Sequence, residues 1–215
     1  MPIFRSALTT YSFTQFLEAL KIMIQRLIGI LTLQAPVYKE VAEDQNATSQ
    51  AAIITAIAAV LSGIGGYAAL QQMSASLGGP APSLIGLLIQ NIIVTFVGWF
   101  LGSWLLAWVS KTFFKGDTNT GEMLRVTGFT RAFGFLGILG VIPILGGIVG
   151  LVAAVLGIIG NIIGIREAAG FDTTKAIISA IIAGVIAFLV AAVLGSVVGG
   201  LLGLGGGLTP LPAGS

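Results

Sequence analysis

The chain contains no cysteine and no histidine. Disulfides, thiolate nucleophiles, histidine-ligated haem and the usual zinc sites are therefore excluded, as are Ser-His-Asp and Cys-His constellations. Charge is also scarce. Only 8% of the 215 residues are Asp, Glu, Lys or Arg, against about 25% in an ordinary soluble domain. A formal net charge of +2 is too small a surplus to point to a nucleic-acid partner. No G-x-x-x-x-G-K-[ST] phosphate loop is present. No catalytic residue, cofactor or metal site is expected, and the chain reads as a non-enzyme.

What is abundant is apolar. Hydrophobic residues make up 56% of the chain and the mean hydropathy is +1.04. A water-soluble globule of this composition would lack polar surface to cover itself. The solvent of such a chain is mostly lipid. Glycine supplies 31 residues, about double its ~7% background.

Residues 1–50 form an N-terminal segment without a spanning run, and no signal peptide is expected there. From Phe13 to Leu33 the spacing predicts an amphipathic helix. Gln15, Glu18, Lys21, Gln25, Arg26 and Gly29 share one face at about 100° per residue, and Leu20, Ile24 and Leu27 lie among the apolar residues opposite. Its uncharged stretch is too short to cross a bilayer, so the helix is expected to lie in the membrane interface or to pack on the bundle. Pro36 should end it by restricting Ala35. Tyr38 to Gln50 reads as a polar, acidic connection.

Residues 51–204 carry the membrane signal. Ala51–Leu70 and Ser83–Val109 are two spans. The stretch Val126–Ile165 has no charge except Arg131 and is long enough for two more, turning at Pro143-Ile144-Leu145-Gly146-Gly147. Ala176 to about Leu204 is the fifth, and 205–215 is a flexible tail. All ten basic and all eight acidic residues then fall on one side. By the positive-inside rule the N-terminus is cytoplasmic and the C-terminus, with its tail, is outside. An even number of spans would break this segregation. The fold class is therefore all-α: a polytopic membrane protein with five transmembrane helices and an N-terminal interfacial helix.

Within the spans the main polar groups are Gln90, Asn91, Thr95 and Asn161, expected to hydrogen-bond between helices. Arg131, just inside the third span, should snorkel to the headgroups, and Arg166 should sit at the same interface. Gly98-xxx-Gly102, Gly146-xxx-Gly150, Gly160-xxx-Gly164 and Gly195-xxx-Gly199 place small residues one turn apart for close helix packing or self-association, and Gly134, Gly137 and Gly140 form a similar strip. Gly116 to Glu122 reads as a turn feeding a helix with Thr120 as its N-cap, a likelier role for its acids than cation binding.

In Pro36-Val37-Tyr38-Lys39-Glu40-Val41 with Asn46 to Ala51, Gly121-Glu122-Met123-Leu124-Arg125 with Gly128-Phe129, Leu139 to Gly146, and Ile165 to Ala168 with Phe171 to Ala176, the chain resembles the Yip1-domain membrane proteins in their bacterial and archaeal form. The resemblance runs from about Arg26 to Val190. It implies five spans with a cytoplasmic N-terminus. Eukaryotic relatives engage small prenylated GTPases, but their Asp-Leu-Tyr-Gly-Pro motif is missing here, so that binding is not carried over. The resemblance implies no assigned activity for the prokaryotic relatives.

The leading expectation is a membrane scaffold or membrane-organising protein in a prokaryotic plasma membrane. Its partners would be membrane lipids and other membrane proteins or a second copy of itself. The alternatives are an accessory subunit of a larger respiratory or photosynthetic membrane complex, or a small transporter or channel. A transporter would show a polar cavity around Gln90, Asn91 and Asn161, and those groups paired between helices would weaken that reading.

Overall fold

The computed structural model describes residues 2–142 and 144–201. The tail 205–215 and Pro143 lie outside the described residues. The elements are α1 (Pro2–Leu31), α2 (Ala35–Glu43), α3 (Ala47–Leu77), α4 (Leu84–Phe114), α5 (Thr120–Thr130), a 3-10 segment (Arg131–Val141), α6 (Leu145–Ala169) and α7 (Thr173–Leu201). There is no strand among the described residues.

Five helical stretches are long and apolar enough to cross a membrane: α3, α4, α5 with its 3-10 continuation, α6, and α7 over Thr173–Val198. The chain is a multi-pass membrane protein. Its apolar side chains face outward as often as inward: Leu151, Ile158 and Phe188 are all more than half exposed. That arrangement suits a hydrocarbon solvent, in which backbone groups must be satisfied within each helix. Because the spans alternate in direction, the charged connections all lie at one end of the bundle, and the turn 78–83 and the end of the 3-10 segment lie at the other.

Pro36 does not end the first helix. The chain turns after Leu31, and Pro36 sits in the first turn of α2, where its missing N–H costs nothing. What reads as a polar connection is a helix with Tyr38, Val41 and Ala42 buried. The cap of α5 is one residue earlier than the sequence suggests. Asn119 accepts from the Glu122 backbone N–H at 3.0 Å, and the Glu122 carboxylate accepts from the Asn119 N–H at 3.1 Å, a complete capping box.

The third span changes its winding midway. After the 11 residues of α5 come 11 residues of 3-10 helix, far more than the usual three or four. In a 3-10 helix residues three apart lie one above the other. Gly134, Gly137 and Gly140 therefore form one straight backbone strip, which meets α3. A Cβ on Gly134 would lie 3.6 Å from that of Ala58, and one on Gly137 would lie 3.0 Å from the Ser62 Cα. One on Gly140 would lie 3.1 Å from the Gly65 carbonyl oxygen, and one on Gly65 would overlap the Gly137 carbonyl. The third span also packs on α6, while α4 packs on α7, α3 and α5 and only slightly on α6.

This crossing yields a paired prediction. Gly65→Ala should destabilise the detergent-solubilised protein by about 1–3 kcal/mol through overpacking against rigid backbone. Gly66→Ala, whose Cβ would meet nothing within 4 Å, should not, because it only replaces a helix glycine with a better helix former. Thermal unfolding followed by circular dichroism separates the two.

Candidate functional site

At the charged end, α1 and α2 fold back on each other and dock against α5 and α6. Gly29 allows the turn: a Cβ there would lie 2.6 Å from a Val37 methyl. Arg26, only 7% exposed, fastens the pair. Its Nε donates to Glu40 Oε1 at 2.9 Å, its Nη2 to Asp44 Oδ2 at 2.7 Å, and its Nη1 to Gln50 Oε1 at 3.1 Å. One guanidinium thus joins α1, α2 and the first turn of α3, and a fork of fixed geometry suits that task. Tyr38 is fully buried, and its hydroxyl donates to the Ile30 carbonyl at 2.9 Å. Burial raises the Tyr38 phenol above its ordinary value. Arg125 of α5 closes the hairpin from the other side, donating through Nε to the Ala42 carbonyl at 2.8 Å, one of the carbonyls left free at the C-terminus of α2.

Two of the predicted packing glycines belong to this docking. A Cβ on Gly160 would lie 2.9 Å from the Tyr38 hydroxyl and 2.8 Å from Phe133, and one on Gly164 would lie 3.1 Å from Val126 and 3.3 Å from Tyr38. Each meets both the third span and the tyrosine of the hairpin. Gly146 packs on the end of the 3-10 segment, where a Cβ would lie 2.6 Å from the Gly140 Cα. Gly98, Gly102, Gly150 and Gly195 depart from the expectation, since a Cβ on any of them would meet nothing within 4 Å. They leave space where helices were expected to touch. Gly199 falls outside the residues whose surroundings are described.

Gly98, Gly102 and Gly150 border a cavity of about 520 Å³ reached by all five spans. Its polar lining includes Ser62, Thr95, Ser103, Thr127, Thr130, Arg131 and Asn161. Arg131 is thus not the snorkelling residue its position suggested: it follows the whole of α5 and lines the bundle interior. The amides are engaged between spans. Gln90 Nε2 donates to the Gly195 carbonyl at 2.7 Å, and Asn91 Nδ2 to the Ala59 carbonyl at 2.6 Å. Asn161 Oδ1 accepts from the Thr130 hydroxyl at 3.0 Å. Arg166 pairs with Glu167 at 2.7 Å at the end of α6.

Along α1, Leu20 and Ile24 are exposed on one side together with Leu17, Ile28 and Leu31, and Ile22 is exposed on the opposite, mainly polar side. Leu27 instead packs toward the core beside Met23. The helix therefore has three faces, one on the bundle, one apolar and free, and one polar.

A model of the Yip1 domain matches residues 28–195, well over half of the chain. The chain belongs to the Yip1 family. The matched region holds α2 with its docking site and all but the last turns of the five spans, while most of the free apolar stripe of α1 precedes it. No match is found among curated proteins or among solved structures. Sequence reasoning missed Tyr38, Arg125 and the role of Arg26. Val37, Tyr38, Val41 and Ala42 at helical spacing were the available signal for α2, but nothing local marks Arg26 as its fastener.

The Asp44 carboxyl carries the pH dependence of the hairpin. Burial alone would raise it, but the hydrogen bonds from Arg26 and Asn46, with the Arg26 charge, hold it below its ordinary value. A lowered folded value stabilises docking above the unfolded pKa of about 3.9 and loses that contribution as pH falls through the folded value. Amide exchange in α1 and α2, corrected for intrinsic rates, should therefore quicken below about pH 4. In Arg26→Gln it should already be fast at neutral pH and depend less on acid.

Proposed function

We propose that this Yip1-family protein is a non-enzymatic membrane organiser whose α1 lies along the leaflet at the charged end of the bundle. The observation that carries this reading is the unpartnered stripe Leu17, Leu20, Ile24, Ile28 and Leu31, with Leu20 36% and Ile28 55% exposed. The hairpin holds that stripe at the end of the spans, where headgroups and acyl chains meet. An apolar face backed by a polar one belongs in that layer, and seating it on one side only spreads that leaflet. The charged end is cytoplasmic by the positive-inside rule, which puts the N-terminus inside and the C-terminus outside. The resemblance of the loop and turn sequences to bacterial and archaeal relatives supports a prokaryotic plasma membrane.

The carboxylates support a non-catalytic reading. Of the eight, Glu40 and Asp44 are held by Arg26, Glu122 caps α5, Glu167 pairs with Arg166, and Asp172 pairs with Lys175 at 3.5 Å. Glu18, Glu43 and Asp117 form no cluster with them that could hold a metal ion among the described residues. The bonds of Gln90, Asn91 and Asn161 between spans weigh against a transporter, while the cavity of about 520 Å³ beside Asn161 and one of about 220 Å³ beside Gln90 and Asn91 are the feature that alternative would use. The close-packed glycines serve contacts within the chain, so partner proteins or a second copy would meet the outer faces of α6 and α7.

Replacing Leu20 and Ile24 with Glu tests the reading. The double variant should keep its helical content and its five-span bundle, while α1 in liposomes becomes accessible to protease. Protection equal to the parent protein would refute an interfacial α1.

A further inference from the structure

Arg131 sets a separate problem. Its Nε is sealed from the surface without a hydrogen-bond partner, and none of the ion pairs among the described residues involves its guanidinium. No Asp or Glu occurs between Val126 and Ile165, so the third and fourth spans offer no counter-charge at its depth. A cation without a counter-charge inside a bundle is costly, and only what enters the bundle can relieve it. Yet Arg131 opens onto the 520 Å³ cavity, where Thr95, Ser103, Thr127 and Thr130 add hydroxyls.

A second chamber of about 470 Å³ adjoins the first and shares Gly102, Leu106, Asn161 and Ala187 with it. Its own lining is hydrocarbon, chiefly Ile158, Ile162, Ile177 and Ile181, with Gly184 leaving room on α7. Ile158 and Ile181 are also among the outward-facing side chains, so this chamber is reached from the lipid side. One compartment is cationic and hydroxylated, and the next is apolar and open to the acyl chains. Together they match the two halves of an amphiphile.

The geometry points to a binding site for an anionic membrane lipid, its phosphate paired with Arg131 and one acyl chain in the groove between α4, α6 and α7. The guanidinium fork suits phosphate oxygens, and the lipid supplies the counter-charge that the chain lacks. The glycines at 98, 102 and 150 then act by leaving the cavity open. This inference is independent of the membrane-organising role of α1.

The test is lipid retention by the full chain in nanodiscs of phosphatidylcholine with phosphatidylglycerol, followed by extraction into mild detergent and native mass spectrometry. The parent protein should retain phosphatidylglycerol over phosphatidylcholine by about tenfold, as expected for a charge-assisted contact. Arg131→Gln should abolish the preference, and Arg131→Lys should keep part of it. Gly184→Leu, which fills the groove and leaves Arg131 in place, should also lower retention, so the proposal stays testable if Arg131→Gln does not fold. Equal retention of the two lipids by the parent protein would overturn the proposal. So would undiminished phosphatidylglycerol on folded Arg131→Gln or on Gly184→Leu. Glycerol phosphate should compete poorly, and competition as strong as that of phosphatidylglycerol would show a site for free phosphate in which the groove has no part.

Discussion

The crossing of α3 and the third span, backbone against backbone at Gly65, Gly137 and Gly140, is the constraint on which the rest of the bundle depends. In lipid there is no hydrophobic drive to bring helices together, and close dispersion contact between small residues has to do it. Three glycines at a spacing of three make a straight strip only if the helix winds as a 3-10 helix. That winding also rises about 2.0 Å per residue instead of 1.5. A span of 22 residues thereby reaches across the same thickness as its longer neighbours.

With the third span drawn onto α3 and α6, α4 packs on α7 and also on α3 and α5, to which Asn91, Trp99 and Ser103 bond. A gap remains among the five spans where Gly98, Gly102 and Gly150 present no side chain to close it. The cavity is thus a consequence of the same glycine distribution that makes the tight crossing. At the charged end the bundle is closed differently. Tyr38 wedges against Gly160 and Gly164, Arg26 gathers two carboxylates and an amide, and Arg125 takes up a carbonyl at the end of α2. These bonds hold α1 at the charged end of the bundle and leave its apolar stripe uncovered.

Much of this plan is legible in the sequence. The five spans are, because apolar runs of sufficient length are separated by charged connections or by Gly- and Pro-bearing turns, and the alternation of the two kinds of connection requires an odd number of spans. Family membership is too, since its signature lies in the loops and turns that those connections form. The glycines were legible only as faces. Gly98-xxx-Gly102 and Gly160-xxx-Gly164 have the same spacing, yet one borders empty space and the other meets Tyr38, because spacing says which residues share a face and not what stands opposite. The hairpin was not legible, since Arg26 reaches partners 14, 18 and 24 residues away and no local period encodes such a contact. Arg131 was misplaced for a related reason. Taking the third span to begin at Val126 put it near the headgroups, whereas the helix begins at Thr120.

The close crossing can be read out directly because the chain has no cysteine of its own. Cβ atoms at Ala58 and Gly134 would stand 3.6 Å apart, within the disulfide range of about 3.5–4.5 Å. Ala58→Cys with Gly134→Cys, oxidised in native membranes, should form an intramolecular disulfide in nearly every molecule, detected as a band whose mobility shift reverses on reduction. A pair that stays reduced while each single cysteine remains reactive would mean that the third span does not lie against α3, and the account built on that contact would be wrong.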